Sequence, residues 1–65
     1  MLVDRKKLEL AMARACMNSA GLPVVTGLPR STVQNAIVGK GVRPGTAGRI
    51  ARALGVDPAD IIKEA

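Results

Sequence analysis

Glycine and proline residues divide this 65-residue chain into short segments with helical periodicity. Within the segments, apolar residues recur every three or four positions, and no stretch alternates between apolar and polar residues as a strand would. Proline at the start of a helix and glycine just after its end are common helix boundaries. The pattern therefore predicts one all-α domain over residues 1–65, a compact bundle of five short helices.

The first predicted helix begins after Asp4, which we expect to be its N-cap. Val3 and Leu8 have the spacing of a hydrophobic staple across that cap. The helix is expected to run to about Met17. Its apolar stripe consists of Leu8, Ala11, Met12 and Ala15.

The second predicted helix has the weakest sequence signal. Asn18 or Ser19 can cap it, and it should reach about Val25. Within a helix, Gly costs about 1 kcal/mol and Pro about 3 kcal/mol relative to Ala. Gly21 and Pro23 are therefore expected to move the start of this helix to residue 21 or 22, or to bend the helix.

The third predicted helix covers residues 29–38 and has one apolar face. Pro29 opens it and Gly39 ends it, while Val33, Ala36 and Ile37 supply the apolar stripe. The opposite side carries Arg30, Ser31, Thr32, Gln34, Asn35 and Val38. Apart from Val38, these are side chains that can match base edges in a DNA major groove. A helix exposed only for solubility would more often carry Glu and Lys pairs, so this pattern indicates a DNA-reading surface.

Two further helices are predicted after a loop over residues 39–45. The fourth runs from Thr46 to Leu54, with Gly55 as its C-cap. Asp57 is the expected N-cap of the fifth, which runs from Pro58 to about Lys63. Two residues of this last helix, Ile61 and Ile62, should face the core.

The composition limits both the core and the classes of function. The chain has no aromatic residue and no His, so the core must be aliphatic, and we expect modest stability, a dimer partner, or both. A single cysteine, Cys16, cannot form an intramolecular disulfide, which fits a cytoplasmic protein. We expect no signal peptide and no membrane span. With no metal-ligand spacing and no base near Cys16, we also expect no enzyme activity, cofactor or small-molecule substrate.

The charge distribution is more informative than the net charge of +5. All carboxylates lie near the two ends: Asp4, Glu9, Asp57, Asp60 and Glu64. Between Leu10 and Val56 there is no acid, and this stretch holds Arg14, Arg30, Lys40, Arg43, Arg49 and Arg52. A basic region without compensating acids indicates a surface for a polyanion. The alternative is a soluble basic domain with scattered charge.

Short motifs follow one another at regular spacing along most of the chain. They are Asn18-Ser19, Leu22-Pro23, Gly27-Leu28-Pro29, Arg30-Ser31-Thr32, Gly39-Lys40, Arg43-Pro44 and the closing sequence from Ile50 to Pro58. In this order they resemble the helix-turn-helix domain of the phage repressor and Cro family (the XRE class), over Ala13 to Ile62. The resemblance implies a sequence-specific transcriptional regulator, a repressor, that binds double-stranded DNA as a homodimer.

The chain departs from the family pattern at two places besides the glycine and proline of the second helix. Many members pair an Arg in the first helix with a Glu late in the third, and here Met12 and Ile37 occupy those positions. Replacing both partners of a buried ion pair with apolar residues is often neutral or stabilising. Ser19 stands where the family usually has a Gln that braces DNA contacts.

The resemblance also implies roles for individual residues. Arg30, Ser31 and Asn35 are the expected base readers, with Thr32 and Gln34 nearer the backbone. Arg30 could bind guanine O6 and N7, or instead a phosphate or only solvent, and the Ser31 hydroxyl could bond to its own helix. Phosphate contacts are assigned to Asn18, Ser19, Lys40 and Arg43. For Asn18, a plain N-cap role is an equal alternative.

Two other functions compete with DNA binding. The weakened second helix, Ser19 and the outward-facing Val38 would also suit a protein-interaction module, such as a co-repressor or anti-repressor. RNA binding through the basic region is the weaker alternative, because no aromatic residue is available to stack on bases. Any dimer would have to use the globule itself, for example the fourth and fifth helices.

Overall fold

A computed structural model describes residues 1–63 as four α-helices followed by a 3-10 turn. The elements are α1 (Arg5–Arg14), α2 (Leu22–Thr26), α3 (Arg30–Ile37), α4 (Pro44–Leu54) and the 3-10 turn (Pro58–Asp60). The all-α class is confirmed, whereas the count of five helices is not. No helix in this part of the chain is long and apolar enough to cross a membrane.

Helix α1 begins as predicted and ends earlier than predicted. The Asp4 carboxylate accepts a hydrogen bond from the Lys7 amide at 3.0 Å, which is the expected N-cap. The helix stops at Arg14 rather than near Met17, because Cys16 adopts a left-handed conformation with φ of 54°. The Met17 amide then bonds back to the Met12 carbonyl at 2.8 Å, closing the helix end as in a Schellman motif.

Helix α2 is shortened at its start, as its glycine and proline predict. Its N-cap is Gly21, which has no side chain to bond the first amides. The prediction that Asn18 or Ser19 caps this helix is therefore wrong. The Asn18 side chain instead accepts from the Gly21 amide at 3.1 Å and closes a turn that precedes the helix.

Helix α3 lies within one residue of its predicted bounds. Pro29 is its N-cap rather than its first residue, and the helix ends at Ile37. Gly39 then adopts φ of 89°, and the Lys40 amide bonds to the Asn35 carbonyl at 2.9 Å. The helix end and the start of the following loop are therefore held together by backbone bonds.

The C-terminal elements differ most from the prediction. Helix α4 starts at Pro44 rather than Thr46. The predicted fifth α-helix is only a 3-10 turn, although Asp57 and Asp60 form the expected capping box. The chain leaves helical geometry after this turn because Ile62 forms an isolated antiparallel bridge with Val3.

The core is entirely aliphatic, as the composition requires. No polar or charged residue between positions 1 and 63 is buried. Helix α4 is central and packs against α1, α2 and the 3-10 turn, and α3 packs on α2. Met12 is buried and Ile37 packs partly buried against the core, so both departures from the family's ion pair are apolar core positions. The largest fully buried side chains are Leu8, Leu22, Val33, Ile50 and Ile61.

Two glycines give a matched pair of stability predictions. A Cβ added at Gly48 or at Gly27 would meet nothing within 4 Å, but only Gly27 has a positive φ, of 71°. Gly48 lies inside α4, so Gly48→Ala should raise the free energy of unfolding by about 0.5–1 kcal/mol. Gly27→Ala should lower it by about 1–2 kcal/mol because of backbone strain. Urea denaturation of both variants checks this, and changes of the same sign would contradict the assigned helix bounds.

Candidate nucleic-acid interface

Helix α3 presents one polar face to solvent. Val33 and Ala36 are buried, with 2% and 0% of their surface exposed. On the opposite side, all four polar residues of two adjacent rows are exposed. The rows follow from the helical period, since residues four apart lie above one another. They are Arg30 with Gln34, and Ser31 with Asn35.

These four side chains are not used by the fold. Within residues 1–63, none of them makes a hydrogen bond or an ion pair. In particular, α3 has no side-chain cap, so the Ser31 hydroxyl does not bond to the amides of its own helix. The Thr32 amide donates to the Pro29 carbonyl at 3.0 Å, which leaves the Arg30 and Ser31 amides at the start of α3 open to an anion.

A shallow groove connects α3 to the loop that follows it. Its volume is about 290 Å³, and its residues come from α3, α4, the loop between them and the turn before α3. The lining residues are Leu28, Thr32, Asn35, Gly41, Val42, Arg43 and Thr46. Thr32 is half-buried here rather than fully exposed as the helical pattern predicts. The groove brings the predicted base reader Asn35 and the predicted phosphate contact Arg43 to one surface.

The loop after α3 carries two of the four predicted phosphate contacts. Lys40 and Arg43 are both exposed. The Lys40 backbone is tied to α3 by its bond to the Asn35 carbonyl, and the Arg43 carbonyl accepts from the Ala47 amide in α4 at 3.1 Å. Both cations therefore project from backbone that is fixed at each end of the loop.

Asn18 and Ser19 are placed differently from their predicted positions. Both are exposed, but they lie in the turn before α2 rather than at the start of that helix. The Asn18 side-chain oxygen is already bonded to the Gly21 amide. Neither residue lines the groove beside α3.

Thr26 has a structural role that the sequence patterns did not reveal. Its hydroxyl donates to the Leu22 carbonyl at 2.6 Å and accepts from the Leu28 amide at 3.2 Å. The same side chain therefore joins the last turn of α2 to the segment that leads into α3. Its position just before Gly27 was the available signal, because Ser and Thr near helix ends often bond to the local backbone.

The basic residues of the middle of the chain have no acidic partners. Within residues 1–63, Arg5 and Glu9 of α1 form an ion pair at 3.2 Å, away from this stretch. The six unpaired cations on the acid-free stretch are Arg14, Arg30, Lys40, Arg43, Arg49 and Arg52. Their positive charge is therefore available to an external polyanion.

Comparison with known families agrees with this arrangement. The model of the Cro/C1-type HTH DNA-binding domain matches residues 7–63 of the chain. The chain belongs to the Cro/C1-type helix-turn-helix DNA-binding family. No curated protein and no solved structure matches it significantly.

The match covers all of the described helices of this Cro/C1-type domain except the first two residues of α1. Helices α2 and α3 with the Gly27 turn between them correspond to the helix-turn-helix that the sequence motifs indicate. Residues 1–6, which precede the matched segment, lie outside the family pattern.

The separation of the two faces of α3 predicts that they contribute differently to stability. Asn35→Ala should change the free energy of unfolding by less than about 0.5 kcal/mol, because the side chain has no partner in the folded domain. Val33→Ala on the buried face should cost about 2 kcal/mol or more. Thermal denaturation of the two variants provides the measurement. A large loss of stability in Asn35→Ala would show that its side chain has a structural role.

Proposed function

We propose that this Cro/C1-type domain is a sequence-specific transcriptional regulator, a repressor, that reads the DNA major groove with α3. The observation that carries the proposal is the exposed face of α3, where Arg, Ser, Gln and Asn side chains have no partner within the fold. When these side chains bind bases, no hydrogen bond or ion pair within the fold has to be broken. In helix-turn-helix proteins the second helix of the motif lies in the major groove and the first crosses the backbone.

The proposed base contacts follow from side-chain chemistry. Arg30 is suited to the O6 and N7 acceptors of guanine, and Asn35 to the N6 and N7 groups of adenine. Ser31, one turn before Asn35, can bond to several base edges. Gln34 and the half-buried Thr32 are assigned to the margins of the contact, Thr32 because it lies in the groove rather than on the open face.

Phosphate contacts are proposed for the loop after α3. Lys40 and Arg43 flank the exposed end of the helix and have no acidic partner, so they can neutralise phosphates and fix the orientation of the domain. Asn18 and Ser19 are retained as weaker candidates on α2's side. Their polar groups are exposed, but they do not lie at a helix N-terminus.

A homodimer is proposed because of the size of the domain. Its Cα atoms span 29 Å in the longest dimension. Half-sites on the same side of a duplex are separated by about 34 Å. One copy is therefore sized for one half-site, and two copies related by a two-fold axis would read a pseudo-palindromic site.

The proposal predicts which substitutions change sequence preference. After selection of binding sites from genomic fragments, Arg30→Ala should lose discrimination at one base pair of each half-site, by about 1–3 kcal/mol. Asn35→Ala should do the same at a different base pair. Arg5→Ala removes the same charge from an exposed position on α1 and should leave the selected motif unchanged.

A protein-interaction module is the second candidate, and exposed apolar side chains favour it. Val24 is 81% exposed on α2, and Val25 and Val38 are also exposed. This candidate predicts that no DNA motif is enriched, that Arg30→Ala has no effect and that Val24→Ser abolishes binding of the partner. Enrichment of a motif by the unmodified chain would reject it.

The salt dependence of DNA binding provides a prediction that does not require the operator. If three residues of each protomer neutralise phosphates, the logarithm of the affinity should fall with the logarithm of salt concentration with a slope of roughly −5 per dimer. Lys40→Ala should make the slope shallower by about 1 per protomer. Fluorescence anisotropy with a labelled duplex gives the slope. A flat response would contradict DNA binding through these cations.

A further inference from the structure

The first three residues, which we call the N-terminal segment (Met1–Val3), pair with the loop after α3. The Met1 nitrogen donates to the Val42 carbonyl at 3.0 Å, and the Val42 amide donates to the Met1 carbonyl at 2.7 Å. Two residues that exchange both backbone bonds form the hydrogen-bonded pair of an antiparallel arrangement. Residue 42 lies between the two loop cations, so this pair of residues lies within the loop that carries the proposed phosphate contacts.

The other edge of the N-terminal segment is held by the end of the described chain. The Leu2 carbonyl accepts from the Lys63 amide at 2.8 Å, and the Asp4 amide donates to the Ile61 carbonyl at 2.8 Å. Val3, between these two bonds, forms the bridge with Ile62 and is only 3% exposed. Successive residues therefore bond to opposite sides, as in an extended strand between two neighbours.

This arrangement anchors the loop at its centre. Backbone bonds at Lys40 and Arg43 already tie the loop to α3 and α4 at its two ends. Between them, the Met1 bonds are the only backbone bonds to residue 42 within the described chain. Met1 and Leu2 are themselves exposed, so their side chains contribute little to the core.

We propose that the N-terminal segment is a positioning element for the phosphate-binding loop, and that it raises DNA affinity by holding Lys40 and Arg43 in place before DNA arrives. The inference rests on the proposed DNA-binding function and adds a component that lies outside the segment matched by the family. The physical reason is preorganisation. A loop that is already ordered loses less conformational entropy on binding.

A double-mutant cycle tests the proposal. One variant lacks Met1 and Leu2 and starts at Val3, so the buried valine and the Asp4 cap remain. The second variant carries Lys40→Ala together with Arg43→Ala. The third variant combines the shortened chain with both substitutions. Removing Met1 and Leu2 should weaken binding to a selected duplex about fivefold or more, but less than about twofold when the loop cations are already absent. The Val42 amide should exchange with solvent about tenfold faster or more in the shortened chain.

A second pair of variants covers the case in which the shortened chain folds poorly. Val42→Pro removes the amide that donates to Met1, whereas Val42→Ala trims the same side chain and keeps that amide. We expect Val42→Pro to lose more DNA affinity than Val42→Ala, with a shallower salt slope.

The outcomes separate this inference from the proposed function. If the unmodified chain binds DNA and the shortened chain loses equal affinity with and without the loop cations, the segment does not act through the loop and the inference is wrong. Unchanged exchange of the Val42 amide would also overturn it. If the unmodified chain does not bind duplex DNA, the proposed function fails and the inference fails with it.

Discussion

The docking of α3 on an aliphatic core determines which of its side chains remain available to a partner. With no aromatic residue in the chain, the contact is made by Val33 and Ala36 against other small and branched side chains. Two further alanines, Ala47 and Ala51, are fully buried in α4, which packs against α1, α2 and the 3-10 turn. The buried stripe of α3 is narrow, and the Thr26 hydroxyl fixes the turn that leads into it. The exposed polar face of α3, whose side chains make no bonds within the fold, is therefore left available to a partner.

The fold was predictable where local chemistry sets a boundary. The Asp4 cap and the turn at Gly27 were predicted because each depends on a few neighbouring residues. The end of α1 was not, because Cys16 adopts a left-handed conformation that residues other than Gly seldom take. An α-helix was predicted where the structure has a 3-10 turn, because Ile62 pairs with Val3 instead of continuing the helix. A contact between residues so far apart in the sequence leaves no local pattern.

The candidate site shows the same division. The exposed face of α3 followed from helical periodicity, and Arg30 and Asn35 lie on it as expected. Asn18 does not cap α2 as predicted, because the helix begins only at Leu22, after Gly21. The loop was predicted as a source of cations, but its pairing with Met1 depends on backbone groups, which carry no sequence signature.

The central claim is that α3 binds base edges in the major groove, and methylation interference on a selected site tests it most directly. Methylating guanine N7 modifies the major groove, whereas methylating adenine N3 modifies the minor groove. If α3 binds base edges in the major groove, N7 methylation of one guanine in each half-site should block binding, and N3 methylation within the same half-site should not. Interference confined to adenine N3, or none at any base, would contradict it.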